Sequence, residues 1–207
     1  MKNSSHHAPR DESGESRGST HSQAVDEASV VRDPALLTRS MRATLASQDI
    51  DGCGLRLDLL WQHDRYSHRI VTDDGTPLLS SIEGSDEDIW PPSPPLQQLS
   101  IEEIRPGIEV ALLVGMAGKS HWSVSIEPQP DRTGFIFDVA CRLRELPASL
   151  GSRYELHEAD ATRLEMTGLD VGRATLVETG AARWAATPDT EGALGNTIRW
   201  KYSISLN

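Results

Sequence analysis

Four side chains able to do chemistry gather in one stretch of this chain: His121, Ser123, Asp138 and Arg142. A serine, a histidine and an aspartate within hydrogen-bond reach can serve as nucleophile, general base and the group that orients the base. The surroundings of Ser123 argue against hydrolysis. A nucleophilic serine usually sits on a strained turn beside an oxyanion hole, whereas Ser123 falls in mid-strand and no G-x-S-x-G occurs. His121, Ser123, Asp138 and Arg142 are therefore read first as a solvated outer sheet face or a structural hydrogen-bond cluster, and next as the polar lining of a small-ligand site. A hydrolase using His121, Ser123 and Asp138 is the alternative.

Other residues with chemical potential fit their motifs less well. His63 and His68 flank Asp64 and, with His121, are the weak metal-ligand candidates, but their spacing matches no zinc signature. No cofactor motif is found. Gly118-Lys119-Ser120 has the end of a phosphate-binding loop, yet Leu113 stands where its first glycine belongs and a strand follows in place of a helix. The acidic run Glu83 to Asp88 lacks the spacing of a calcium loop. Pro91 to Pro95 has the spacing of a polyproline ligand, but Trp90, Leu96 and Leu99 can anchor it to its own domain as a rigid crossover. Trp122 and Trp200 alternate with core residues, which leaves Trp61, Trp90 and Trp184 as surface candidates for stacking on a sugar.

The elements that must position these groups are strands. Ile108, Val110, Leu112 and Val114 alternate in one, Trp122, Val124 and Ile126 in the next, and Phe135, Phe137, Val139 and Cys141 in a third. Matching apolar faces pairs Val114 with Trp122, Leu112 with Val124 and Val110 with Ile126, around a loop at Ala117-Gly118-Lys119. The same matching sets Ile126 beside Phe135, Val124 beside Phe137 and Trp122 beside Val139. On the opposite face Ser123 then lies across from Asp138, and His121 across from Ala140, with Arg142 further along.

Further strands are expected at 55–61, 66–71, 77–82, 152–158, 174–178, 181–186 and 197–206. In the last, Ile198, Trp200, Tyr202, Ile204 and Leu206 share one face. Asp33-Pro34 and the spacing of Leu37, Met41 and Leu45 predict one short N-terminal helix reaching about Ser47. Residues 1–31 carry too few apolar side chains to order themselves, and their His6 and His7 have no structural role.

A disordered tail over 1–31 and a single β-rich domain over 32–207 follow. The fold class is all-β, mainly antiparallel, a sandwich or a barrel of about 8 to 10 strands with the one short helix. The formal charge of −11 disfavours nucleic acid and anionic membranes as partners. Cys53 and Cys141 form no metal or disulfide pattern, and no export signal or membrane span is evident, so a soluble, acidic, cytoplasmic protein is expected. Noncatalytic binding of a small ligand or a protein partner is the expected function. A structural subunit of a β-rich assembly is the second alternative after the hydrolase.

Overall fold

Apolar and polar side chains alternate along almost every element of the computed structural model, which describes residues 41–48, 52, 54–157, 163–169, 174–178, 182–190 and 196–207. All of them belong to the unit spanning residues 38–207. The expected tail over 1–31, with His6 and His7, and Cys53 lie outside the described residues. The strands are β1 (Arg42–Gln48), β2 (Gly54–Gln62), β3 (Arg65–Thr72), β4 (Pro77–Ser81), β5 (Gln98–Arg105), β6 (Ile108–Ala117) and β7 (Ser120–Pro128). They continue with β8 (Gly134–Arg142), β9 (Ser152–Leu156), β10 (Leu164–Gly168), β11 (Thr175–Glu178), β12 (Arg183–Thr187) and β13 (Thr197–Leu206). Among the described residues no helix is long and apolar enough to cross a membrane.

Two antiparallel sheets result, rather than one closed barrel. One runs β1-β2-β3-β4-β9-β12-β11 and the other β10-β13-β8-β7-β6-β5. Their inward faces share one core: Leu45, Leu57, Leu59, Ile70 and Tyr154 from the first meet Trp122, Ile126, Phe137, Trp200 and Tyr202 from the second. As the pattern of the last strand requires, Ile198, Trp200, Tyr202 and Ile204 are all buried.

The expected helix is overturned over its second half. Residues 42–48 form β1, paired with β2 from Arg42↔Leu60 to Gln48↔Gly54. Leu45 satisfies a period of two as well as a period of four, and β2 offers β1 a hydrogen-bond ladder that an isolated short helix lacks. The first half, residues 34–40, lies outside the described residues. Two strands have no clear sequence signal, β5 and β10, and both are edge strands. An edge strand has one neighbour and much exposed surface, so its apolar alternation is short.

On its outward face the seven-stranded sheet carries a charge cluster. Asp58, fully buried, accepts hydrogen bonds from Thr44 (3.3 Å), Arg42 (3.2 Å), Arg56 (3.0 Å) and Arg69 (3.3 Å). Burial pushes its carboxyl up, but the hydrogen bonds and charges of Arg56 and Arg42 together outweigh that and hold it below the usual range.

The β6–β7 hairpin departs from the register derived by matching apolar faces. Trp122 pairs with Gly115, Val124 with Leu113 and Ile126 with Ala111, one residue away from the expected Val114, Leu112 and Val110. The loop shortens to Gly118-Lys119, with Ala117 paired to Ser120 and Gly118 at φ +54°, the positive φ that a two-residue hairpin takes at its first central position. Both faces of β6 are apolar, so alternation alone leaves the choice open. The crossover decides it. The Pro91–Leu96 segment passes from β4 in one sheet to β5 in the other, and a Cβ at Gly115 would stand 1.7 Å from the Pro95 carbonyl oxygen. The inner face of β6 admits only Ala111, Leu113, Gly115 and Ala117 there, and the bulkier Leu112, Val114 and Met116 turn outward, each 43–46% exposed.

This register makes a mutational prediction. Gly115→Ala is expected to lower stability by roughly 3 kcal/mol, because the backbone of the crossover has to move, whereas Val114→Ser costs less than about 0.5 kcal/mol. Urea unfolding of the two variants checks it, and the reverse ranking would reinstate Val114 as the core residue.

Candidate functional site

The outward turn of β6 creates the surface on which the candidate residues stand. Two ladder rows cross the six-stranded sheet. Gln98, Val114, Ser123 and Ala140 make one, and Met116, His121, Arg142 and Thr197 the next. The short side chains at Ser123 and Ala140 leave a shallow depression of about 480 Å³, with Val114 and Met116 on one side and His121 and Arg142 on the other. Neither the Arg142 guanidinium nor the His121 imidazole has an ion-pair or hydrogen-bond partner among the described residues.

Asp138 does not join them. β8 is displaced by two residues from the expected register, so His121 pairs with Arg142, Ser123 with Ala140, and Asp138 with Ser125. A shift of two keeps every face unchanged, which is why the apolar pattern is blind to it. The turn sets it, through the Gln129 N–H donating to the Gly134 carbonyl at 2.9 Å. Asp138 therefore lies about 13 Å along the strand from the position opposite His121, at about 3.3 Å per residue. Its carboxylate is taken up by Arg199 at 2.7 Å and by Lys201 at 3.9 Å. No hydrogen bond links His121, Ser123 and Asp138 to one another among the described residues.

The histidines proposed with His121 as metal ligands are also dispersed. His68 points into the core, where its Nε2 lies 3.1 Å from the Tyr154 hydroxyl and its ring packs on Phe137. His63 occupies the β2–β3 turn at φ +54°, an uncommon conformation for any residue other than glycine. Among the described residues no group of three or more His, Cys, Asp or Glu side chains can hold a metal ion. Cys141 is buried, and burial pushes its thiol up to about 12, far from the thiolate a metal or a nucleophile needs.

The Pro-rich segment is seated on the domain. Trp90 meets Trp122 edge to face at 5.9 Å, Ser93 Oγ accepts from the Arg153 N–H at 3.0 Å, and the Tyr66 N–H donates to the Leu96 carbonyl at 2.7 Å. Trp61, Trp90 and Trp184 all pack partly buried against the core.

Sequence reasoning missed two features that matter for chemistry. One is Val114 and Met116 as exposed apolar partners of Arg142, hidden because both faces of β6 are apolar. The other is a buried polar chain between the sheets. His68 bonds to Tyr154, Tyr154 to the Tyr202 hydroxyl, and the Trp200 Nε1 donates to Ser152 Oγ at 3.2 Å. Tyrosines in apolar alternation look like any other core residue, so no sequence signal marks them. Comparison with protein-family models, with curated proteins and with solved structures finds no match.

Two buried groups set an unusual pH dependence. Burial lowers His68 to about 4, and burial raises Glu83 to about 7 against the opposing pull of Ser81 and Arg65. Unfolded His68 binds its proton first, so its contribution to stability is lost as pH falls from about 6.5 to 4, by roughly 3 kcal/mol. Folded Glu83 holds a proton that the unfolded chain has released, so its contribution grows as pH falls from about 7 to 4.5. The two oppose each other across the shared window. Urea unfolding of the unmodified protein is expected to change little between pH 6.5 and 4.5, while Glu83→Gln loses roughly 2 to 3 kcal/mol over that interval. Equal slopes in the two proteins would show that these groups do not titrate as their burial requires.

Proposed function

We propose that the protein is a noncatalytic β-sandwich module that binds a small amphipathic anion on the outward face of its six-stranded sheet. The observation that carries this reading is the pairing of a cation that has no partner among the described residues with an exposed apolar floor. Arg142, with His121 beside it, faces Val114 and Met116 across the depression, in a chain whose formal charge is −11. Elsewhere on the same face Asp138 already neutralises Arg199.

The guanidinium offers paired N–H donors to a carboxylate, sulfonate or phosphate, and His121 adds one more donor. Val114 and Met116 take the apolar body of the ligand, and the flexible thioether of Met116 adapts to its shape. Ser123, Gln98 and Thr197 supply hydrogen bonds at the margin. A depression of this size accommodates a ligand of a few hundred daltons, on the scale of ordinary small-molecule sites.

Titration with 8-anilinonaphthalene-1-sulfonate, followed by competition with decanoate, tests the proposal. Saturable binding is expected, weakened about tenfold by Arg142→Ala, as expected for a lost charge-assisted hydrogen bond of about 1.4 kcal/mol. Asp138→Asn should leave it unchanged. Equal affinity in Arg142→Ala removes the anion site, and turnover of an ester probe that Ser123→Ala abolishes would make the protein a hydrolase.

A further inference from the structure

The apolar side of the Arg142 depression extends beyond the depression itself. Leu112, Val114 and Met116 stand two residues apart on the outward face of β6 and are 43%, 46% and 46% exposed. Of the three, Val114 and Met116 line the depression. Leu112 carries the same apolar stripe one row further, and Val110, next on that face, is already buried. Beside the stripe the side chains of β7 are short, Ser123 opposite Val114 and Ser125 opposite Leu112. A shallow channel therefore runs along β7, with the β6 stripe on one side and Arg142, Ala140 and Asp138 of β8 on the other.

The two ends of this channel differ. At one end Met116, His121 and Arg142 share a ladder row, and the guanidinium has no ion-pair or hydrogen-bond partner among the described residues. At the other end Leu112, Ser125 and Asp138 share a row, and Asp138 is already held by Arg199 at 2.7 Å and by Lys201 at 3.9 Å. One end offers paired donors to an anion, and the other is an ion cluster satisfied by its own members. Four residues separate the two rows, about 13 Å at about 3.3 Å per residue. With C–C bonds of about 1.5 Å, an extended alkyl chain advances about 1.25 Å per carbon, so about ten carbons span that distance.

The floor of the channel has no backbone groups to give. β6, β7 and β8 each have a strand on both sides, so their N–H and C=O groups are spent in ladder bonds and none is left for the amides of an extended peptide. A ligand body without polar groups loses nothing on such a surface.

Resting on the anion-binding reading above, we propose that the ligand is an unbranched alkyl carboxylate that lies lengthwise along β7, its head on Arg142 and its chain against Val114 and Leu112. Leu112 then sets the preferred length, because only a chain long enough to reach it gains its contact. A compact body of the same charge fills the depression beside Val114 and Met116 and leaves Leu112 uncovered. Carbons beyond Leu112 meet the cluster of Asp138, Arg199 and Lys201 and gain no further apolar contact.

Competition of hexanoate, octanoate, decanoate, dodecanoate and adamantane-1-carboxylate against 8-anilinonaphthalene-1-sulfonate on the full chain, with the alkyl acids below their micelle concentrations, tests the proposal. Affinity is expected to rise about twofold per methylene from hexanoate to decanoate, half in free energy of what complete burial gives, and to level off at dodecanoate. Decanoate should bind about fivefold more tightly than adamantane-1-carboxylate, and Leu112→Ser, at an exposed position, should weaken decanoate about fourfold while leaving hexanoate unchanged. Equal affinity for decanoate and adamantane-1-carboxylate overturns the lengthwise placement, as does a loss in Leu112→Ser that is the same for hexanoate and decanoate. In either case Arg142→Ala still weakens every carboxylate, so the anion site stands. If Arg142→Ala binds them all as the unmodified protein does, or if none of them binds, the anion site fails and the lengthwise ligand with it.

Discussion

The close passage of the Pro95 carbonyl over Gly115 governs the arrangement of the six-stranded sheet. A chain that crosses from one sheet to the other has to bring backbone against the end of a strand, and only a residue without a side chain leaves room for it. With Gly115 inward, the two-residue period keeps Leu113 and Ala111 on the core side and turns Val114, Leu112 and Met116 to the surface. The exposed apolar patch is thus a consequence of a packing constraint on the far side of the same strand. Prolines suit the crossover because they donate no backbone hydrogen bond, and the Gln97 N–H resumes the ladder by bonding the Val114 carbonyl at 2.8 Å.

The sheets are joined by polar as well as apolar contacts. Tyr202 stacks on Phe137 at 5.0 Å, and its hydroxyl meets Tyr154 from the opposite sheet, which in turn holds His68. Apolar packing alone tolerates a slip of two residues, since every face is preserved; a hydroxyl pair has one geometry and does not. The same chain leads through the His68 backbone and Ser81 to Glu83, so this buried carboxyl is positioned by the strands that build the core. Asp58 plays a comparable part on the outward face of the other sheet, where three arginines from β1, β2 and β3 converge on one carboxylate and tie three strands together.

Most strands were legible because a half-buried strand must alternate. The pattern of Ile198 to Leu206 fixes β13 and its buried face, and the positions of Leu55, Leu57 and Leu59 fix β2. Legibility failed where the physics supplies no alternation. β5 and β10 lie at sheet edges, β1 carries spacing compatible with a helix, and β6 is apolar on both faces. Among the candidate residues, His121, Ser123 and Arg142 do share a face and a depression. Asp138 shares the face but not the place, because turn geometry shifted β8 by a distance that the apolar pattern cannot register.

By itself the amino-acid sequence determined most of the strands, β2, β7, β8 and β13 among them, and that they pair antiparallel with one wet face, because these follow from the two-residue period of the extended chain. Tertiary structure alone decided which face of β6 turns outward, how far β8 slides along β7, and that Glu83 is enclosed while its acidic neighbours are not. Those outcomes depend on contacts between residues distant in sequence, the Pro95 carbonyl on Gly115 above all, and no local pattern encodes the space such a contact leaves.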